Sequence, residues 1–320
     1  MKAVFYHENG GPEVMQFGEL PDPVIGPDTV CLKVEWVSIE GGDLLNRLVS
    51  PPPHPSFVPG YQAAGIVVAV GSDVTKFRAG DRAVGFNWNG SHADLFAVPE
   101  QYAYPIPEGV ETRVAATIPI PFGTAYDALV TYGRLQAGET VLIQGAAGGV
   151  GLAAVQIAAQ LGATVIGTAS GTDRIERLRQ LGLEHGIDYR TQSIAEECDR
   201  ITGGAGVDMV LDLAGGQDAE DLIASLKRHG RYMTVGASTG SLPSFGFFEI
   251  INKALMIKGV TFGLEMHTQR AHDLLSELFA RVRQGHLTMP IDREFPLCQA
   301  VAAHEHVANG HPLGRVLLRP

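Results

Sequence analysis

Residues Val141 to Gly151, VLIQGAAGGVG, constrain the fold of this chain more than any other stretch. A short apolar run stops at Gly145, and a turn of small residues opens into the apolar-periodic segment Leu152 to Leu161. Strand, tight turn and helix in that order make the βα turn that receives a dinucleotide. A pyrophosphate lies against the free N–H groups at a helix N-terminus, where the helix dipole favours negative charge, and only tiny side chains let it approach. Taken as G-x-G-x-x-G, the frame falls on Ala146, Gly148 and Gly151, with Gly149 and Val150 lying between the last two. Alanine stands where the first glycine is usual. A second strand, Thr164 to Thr168, ends about twenty residues downstream, where the fingerprint places its ribose-binding acid.

The residues just past that second strand decide which dinucleotide is favoured. An NAD site places a carboxylate there to accept hydrogen bonds from the ribose hydroxyls, whereas an NADP site avoids negative charge and brings a cation. Here VIGTAS runs into GTDRIERLR, so Ser170 takes the place of the acid and Arg174 comes one helical turn later. A hydroxyl can hydrogen-bond a 2′-phosphate, and a guanidinium can grip it with charge-assisted bonds. The expectation is NADPH rather than NADH. The competing acid, Asp173, reads as the N-cap of the next helix, with Glu176 three residues on completing a capping box.

The bulk numbers place this chain among soluble enzymes. With 320 residues it can hold two domains, and 45% apolar with 18% charged residues is a globular balance. A formal charge of -11 and the lack of any Lys/Arg run argue against nucleic acid and against an anionic membrane surface. Met-Lys-Ala-Val-Phe at the start reads as a strand, and no stretch of about twenty apolar residues occurs. A cytoplasmic protein is expected. Cys31, Cys198 and Cys298 lie far apart without C-x-x-C spacing, which leaves neither a disulfide framework nor a structural zinc cluster.

The texture changes near Pro119 to Gly123. Before it, β-rich segments (Thr29 to Val37, Ala63 to Val70, Asp81 to Phe86) are punctuated by Gly and Pro, including a rigid loop from Val49 to Pro59. After it, helices and strands alternate: Thr124 to Tyr132, Thr140 to Gln144, Val150 to Gln160, Thr164 to Thr168, Asp173 to Leu181, Gly186 to Asp188, Val207 to Asp212, Ala219 to Leu226 and Arg231 to Val235. Such alternation predicts a parallel sheet with helices on both faces. A helix over Ser276 to Gly285 comes next, and the last strand, Gly314 to Leu318, is expected to return to the β-rich half.

Four blocks carry a resemblance that runs from the first residue to the last: HENGGPEV, AAGIVVAVGSDVTKFRAGDRAVG from Ala63 to Gly85, AAGGVGLAAVQIA from Ala146 to Ala158, and HPLGRVLL at the end. The chain resembles the medium-chain dehydrogenase/reductases, in their zeta-crystallin-like quinone oxidoreductase branch. The resemblance implies an α/β protein with a GroES-like β-rich catalytic domain, residues 1–120 and 265–320, and a Rossmann doubly wound parallel-sheet domain for NADPH, residues 121–264. It further implies a cleft for nicotinamide and substrate, and a homodimer built by edge strands near Leu255 to Phe262. It places Thr124 near the cofactor carboxamide at the start of a helix, Tyr189 toward the adenosine phosphate, and Gly236 along the nicotinamide.

Many members of that superfamily hold a catalytic zinc on thiolate and imidazole ligands. Their ligand turns are altered here: Ser38-Ile39-Glu40-Gly41-Gly42-Asp43 has Glu40 in the cysteine place, and Gly60-Tyr61-Gln62 has Tyr61 in the histidine place. No metal is expected. His304, His306 and His311 cluster near the end, but His304 and His306 point to different helix faces, and they read as surface residues. Without a metal, hydride delivery suits a quinone or an α,β-unsaturated carbonyl, whose conjugation stabilises the developing anion. Glu40 and Tyr61 are the candidates to polarise the substrate oxygen. Trp88 or Phe247 is a candidate pocket wall. Two other readings stay open: an enoyl-thioester reductase, and a non-catalytic NADPH-binding or structural protein.

Overall fold

A computed structural model describes residues 1–216, 218–237, 240–310 and 312–320. They form two compact units, Pro121–Phe262, and Met1–Ile120 with Gly263–Pro320. Among the described residues no helix is long and apolar enough to cross a membrane.

Pro121–Phe262 is built on a six-stranded parallel sheet. Its spatial order is His185–Asp188, Thr164–Ala169, Thr140–Gln144, Val207–Asp212, Leu226–Thr234, Met256–Gly259. In chain order these are the third, second, first, fourth, fifth and sixth strands, the doubly wound arrangement whose order reverses beside the first strand. The central strands are legible as continuous apolar runs because both faces are covered: every residue of Val207–Asp212 is buried, as are Val141 to Gln144. Leu142, Ile166, Ile187 and Val210 pack against Leu222 and Tyr232 in the core. The Gly149–Gln160 helix is buried from Gly151 to Ala158, which explains its nearly uniform apolar sequence.

Several boundaries differ from expectation. The helix read as Thr124 to Tyr132 starts earlier, as Pro119–Tyr126, and continues as a π-turn, Asp127–Thr131. Its prolines fall in the first turn, where the missing N–H costs nothing. The helix read from Ser276 is Gln269–Arg283, its start fixed by Thr268 Oγ1, which accepts from the Ala271 N–H at 3.2 Å.

The other unit centres on an antiparallel sheet in which Thr29–Ser38 pairs with Gln62–Val70 and Leu95–Pro99. Buried Val30, Leu32, Val34 and Val37 make one face of its core with Val67, Phe96 and Val98. The final strand, Arg315–Arg319, does return here: Leu317 pairs with Ser38 and Leu318 with Val37. That pairing sets Arg315 beside the segment that begins after Ser38.

Candidate functional site

Because the strands of Pro121–Phe262 run parallel, their carboxyl ends lie along one edge. Asp188 pairs with Ala169, so Tyr189 and Ser170 emerge side by side one residue later. Gln144 pairs with Asp212, and Asp212 with Thr234, which brings the Gly145 turn and Gly236 to the same edge. At ~4.8 Å between neighbouring strands, the four steps from the strand before Tyr189 to the strand before Gly236 span roughly 19 Å.

The turn passes a test of fit for a diphosphate. Gly148 is the N-cap of the Gly149–Gln160 helix, at φ −77° and without a side-chain cap bond. Among the described residues a Cβ there would meet nothing nearer than the Gly145 carbonyl oxygen at 3.5 Å, so neither backbone conformation nor their packing demands glycine. A side chain at an N-cap would, however, occupy the N–H groups of the first turn. Those of Gly149, Val150 and Gly151 are thereby left for a ligand. Gly151 is different, since a Cβ would collide with the Gly145 carbonyl oxygen and lie 2.6 Å from that of Ala146. Ala146, the departure from the glycine pattern, is buried and donates its N–H to Thr168 O at 3.1 Å. A Cβ on Gly167 would lie 3.0 Å from the Ala146 methyl and 2.7 Å from Leu183. A glycine in the next strand therefore makes room for the methyl that the turn carries.

Arg174 Nη1 donates to Ser170 Oγ at 2.8 Å, and Ser170 is buried to 7% exposure. The helix that carries Arg174 is Thr172–Arg179, and its N-cap is Gly171 at φ +84°. The expected Asp173 cap is thus corrected: Asp173 lies inside the first turn, and Glu176 pairs with Arg179 at 3.7 Å instead of closing a capping box. Glycine in the left-handed region admits the chain to the helix sooner than an aspartate cap could. Thr124 is buried near the end of the Pro119–Tyr126 helix, not at its start. Tyr189 is exposed. Gly236 is small for an internal reason, since a Cβ would lie 2.7 Å from the Leu213 carbonyl oxygen. Phe247 is exposed and stands against Phe248.

In the other unit, Thr29–Ser38 delivers Glu40 to the N-terminus of the Gly41–Val49 helix. Asp43 Oδ2 accepts from the Glu40 N–H at 2.8 Å and closes that first turn. Glu40 is buried, and its Oε1 is 2.5 Å from Arg315 Nη2, an equally buried cation. Arg315 also donates to Ser38 Oγ at 2.9 and 3.1 Å and to the Ile39 carbonyl, while the Ser38 hydroxyl donates to Glu40 at 3.2 Å. Gln62 donates from Nε2 to Ala116 O at 2.5 Å and accepts at Oε1 from Ile120 N–H at 2.9 Å. The half-buried Tyr61 holds its hydroxyl over the same helix turn, where a Cβ on Gly42 would collide with it. Trp88 packs edge-on against Phe86, which in turn packs edge-on against Tyr61.

Electrostatics oppose ionisation of Tyr61. Desolvation first, and then the charges of Asp43 and Glu40, push its phenol well above the ordinary value. Burial raises Glu40 against the opposing pull of Arg315, and raises Asp43 further, with the charge of Glu40 adding to the effect. Among the described residues, buried Asp43 Oδ1 has no hydrogen-bond partner. The Arg315 guanidinium thus acts on both carboxyl groups, and that of Arg47 adds a second, smaller pull on Asp43, beside the phenol O–H of Tyr61. Among the described residues no group of three His, Cys, Asp or Glu side chains is arranged for a metal.

The reading of His304 as a surface residue is wrong. Helix Ala300–Asn309 buries the face of Ala300, Ala303 and His304, and places His304 Nδ1 2.5 Å from Arg47 Nη1 and its Nε2 2.9 Å from His92 Nε2. The two histidines do lie on different faces, and His306 pairs with Asp292 at 2.7 Å. His311 lies outside the described residues. Sequence reasoning also missed Arg315, Ser38 and Gln62. Arg315 stands in the HPLGRVLL block, but its partners lie up to 277 residues away, and no local pattern names them.

Residues 149–277 match the family described as zinc-binding dehydrogenase, and residues 26–108 the alcohol dehydrogenase GroES-like domain. The synaptic vesicle membrane protein VAT-1 homolog of Homo sapiens is 31% identical over 318 residues, covering 93% of this chain and 80% of that protein. Phthioceranic/hydroxyphthioceranic acid synthase of Mycobacterium tuberculosis is 31% identical over 311 residues, which are 96% of this chain and 14% of the synthase. Escherichia coli quinone oxidoreductase, solved in complex with NADPH, superimposes with a TM-score of 0.96 at 28% identity over 100% of both chains. The parallel doubly wound sheet with its glycine turn, the β-rich unit and these matches agree: the chain belongs to the medium-chain dehydrogenase/reductase superfamily, as an oxidoreductase of quinone oxidoreductase type.

Proposed function

We propose that the protein is a zinc-independent, NADPH-dependent reductase acting on a quinone or an α,β-unsaturated carbonyl compound. The observation that carries this reading is the Ser170–Arg174 pair at 2.8 Å, set one strand from a helix N-terminus that Gly148 leaves open. The backbone N–H groups of Gly149, Val150 and Gly151 take the pyrophosphate, and Ser170 with Arg174 takes the 2′-phosphate. Tyr189, Thr124 and Gly236 complete the set for adenosine and nicotinamide. NADPH, when bound, supplies hydride. Tyr61 donates a hydrogen bond to the substrate oxygen as negative charge builds there, and a phenol that resists ionisation keeps that proton available. Glu40 acts through its ion pair with Arg315, which holds the turn beneath Tyr61 and keeps the carboxylate from coordinating a metal. The reading includes a small-molecule acceptor, a cytoplasmic location and a homodimer joined along the Met256–Gly259 edge.

The test is a spectrophotometric screen of NADPH and NADH oxidation with 1,4-naphthoquinone, cyclohex-2-enone and crotonyl-coenzyme A. Turnover of the first or second acceptor, with NADPH preferred at least about tenfold in kcat/KM, roughly 1.4 kcal/mol, is the expected result. Equal use of both nucleotides removes the Ser170–Arg174 reading. The second reading, an enoyl-thioester reductase, is favoured by the likeness to a segment of the mycobacterial synthase. Preference for the thioester would select it.

A further inference from the structure

We propose that Arg47, His304 and His92 are positioning residues that hold the Tyr61 hydroxyl over the first turn of the Gly41–Val49 helix; their effect on turnover rests on the reading of Tyr61 as donor. Arg47 lies on the helix that begins at Glu40 and Asp43, and it is fully buried. Its Nε donates to Gly10 O at 3.2 Å and its Nη1 to His304 Nδ1 at 2.5 Å. A guanidinium can only donate, so His304 accepts at Nδ1 and carries its proton on Nε2. That proton is donated to His92 Nε2 at 2.9 Å, which leaves the His92 proton on Nδ1, 3.5 Å from Ser91 Oγ. One cation therefore fixes the tautomers of two histidines from separate elements. Neither can gain a proton without setting N–H against N–H. Burial agrees with that geometry, since it lowers His92 to about 3 and His304 well below its ordinary value, with the positive charge of Arg47 adding to the effect at both.

The network ends on the backbone that carries Tyr61. Gly60 sits at φ +85°, and a Cβ on it would collide with His92 Nδ1 and Ser91 Oγ, so the imidazole lies against the α-carbon next to Tyr61. Backbone bonds clamp the same turn: His92 N–H to Pro59 O at 3.1 Å, Ser91 N–H to Gly60 O at 3.0 Å, and Asn87 N–H to Tyr61 O at 3.0 Å. Arg47 belongs to the helix under the Tyr61 hydroxyl, and His92 to the clamp behind the Tyr61 main chain. His304 joins them. The distance between phenol and helix turn is thus set by a braced network with a fixed proton order.

The test uses the full chain labelled with 3-fluorotyrosine. The chain has eight tyrosines, and the fluorine line lost in Tyr61→Phe is assigned to Tyr61. In His304→Leu the Tyr61 line is expected to shift or broaden while that of Tyr189 stays. In His304→Gln it is expected to return, because an amide can accept from Arg47 and donate to His92. With NADPH and 1,4-naphthoquinone, His304→Leu is expected to lower kcat about tenfold at nearly constant KM for NADPH, and by less than about twofold in a Tyr61→Phe background, as coupled residues behave. An unmoved Tyr61 line in folded His304→Leu overturns the proposal. A moved line with unchanged kcat keeps the positioning and instead sinks Tyr61 as donor. Should His304→Leu not fold, His92→Asn removes the ring from Gly60 and is read in the same way.

Discussion

Ala146 and Gly167 share one small volume at the phosphate turn, and their sizes have to be read together. The position expected to be irregular, Ala146, is sterically compatible because Gly167 has no side chain. Gly167→Ala is expected to cost about 1–3 kcal/mol, because the new methyl overpacks against Ala146 and Leu183. It should also weaken NADPH binding, whereas Ala146→Gly leaves both within about 1 kcal/mol. Urea unfolding and NADPH fluorescence titration check the pair. At the neighbouring strand end, Arg174→Ala is expected to lower kcat/KM for NADPH by roughly 10–100-fold while that for NADH changes less than about twofold. A parallel loss with both nucleotides would assign Arg174 to folding. Ser170 and Arg174 were legible because they lie four residues apart on either side of a helix start. The cap was misread for an equally local reason: Gly171 at positive φ takes the N-cap that Asp173 resembled.

At the scale of elements, the Gly41–Val49 helix and the segments around it collect buried titratable groups of opposite sign. For His92 and His304 the folded pKa is lowered, to about 3 for His92, chiefly by burial. Between that value and the ordinary one near 6.5, the unfolded chain binds more protons, so stability rises with pH and is lost as pH falls through this window. For Glu40 and Asp43 the folded pKa is raised, chiefly by burial. There the folded chain binds more protons above the ordinary carboxyl value, so stability falls as pH rises toward the raised pKa. The two limbs can be separated by substitution. His92→Gln is expected to flatten the loss between about pH 6.5 and 4, by up to ~1 kcal/mol per pH unit, and Asp43→Asn to flatten the opposite limb. Urea midpoints across pH measure both, and identical slopes in wild type and His92→Gln would contradict the burial argument. Strand identity was the most legible feature at this scale, since Thr140–Gln144 and Val207–Asp212 are largely apolar runs covered on both faces. The Pro119–Tyr126 helix was read only from Thr124 onward, because a segment buried almost throughout carries no helical periodicity that would mark its start.

For the whole molecule, the edge of the six-stranded sheet predicts association. Met256–Gly259 ends the strand order, and exposed Phe247, Phe248, Ile251 and Met256 lie on it and on the preceding Phe247–Lys253 helix. An open strand edge beside apolar surface favours pairing with a second copy. Light scattering is expected to give a dimer for the wild type and a monomer for Phe248→Asp with Ile251→Asp. NADPH affinity should persist in that monomer, since Ser170 lies four strands away in the sheet order. A wild-type monomer would remove the homodimer from the proposed function.

The sequence by itself determined the parts whose causes are local. The glycine turn, the strand before it, and Ser170 with Arg174 all fall within 34 residues of one another, from Val141 to Arg174, where steric room and helix ends dictate residue type. Only the tertiary structure decided the chemistry around Glu40 and Tyr61. Arg315 meets Ser38 across 277 residues, and His304 meets Arg47 across 257 and His92 across 212. Burial and charge partners set what such groups can do, and strand pairing supplies both: the return of Arg315–Arg319 to Thr29–Ser38 turns Glu40 from a free carboxylate into half of a buried ion pair.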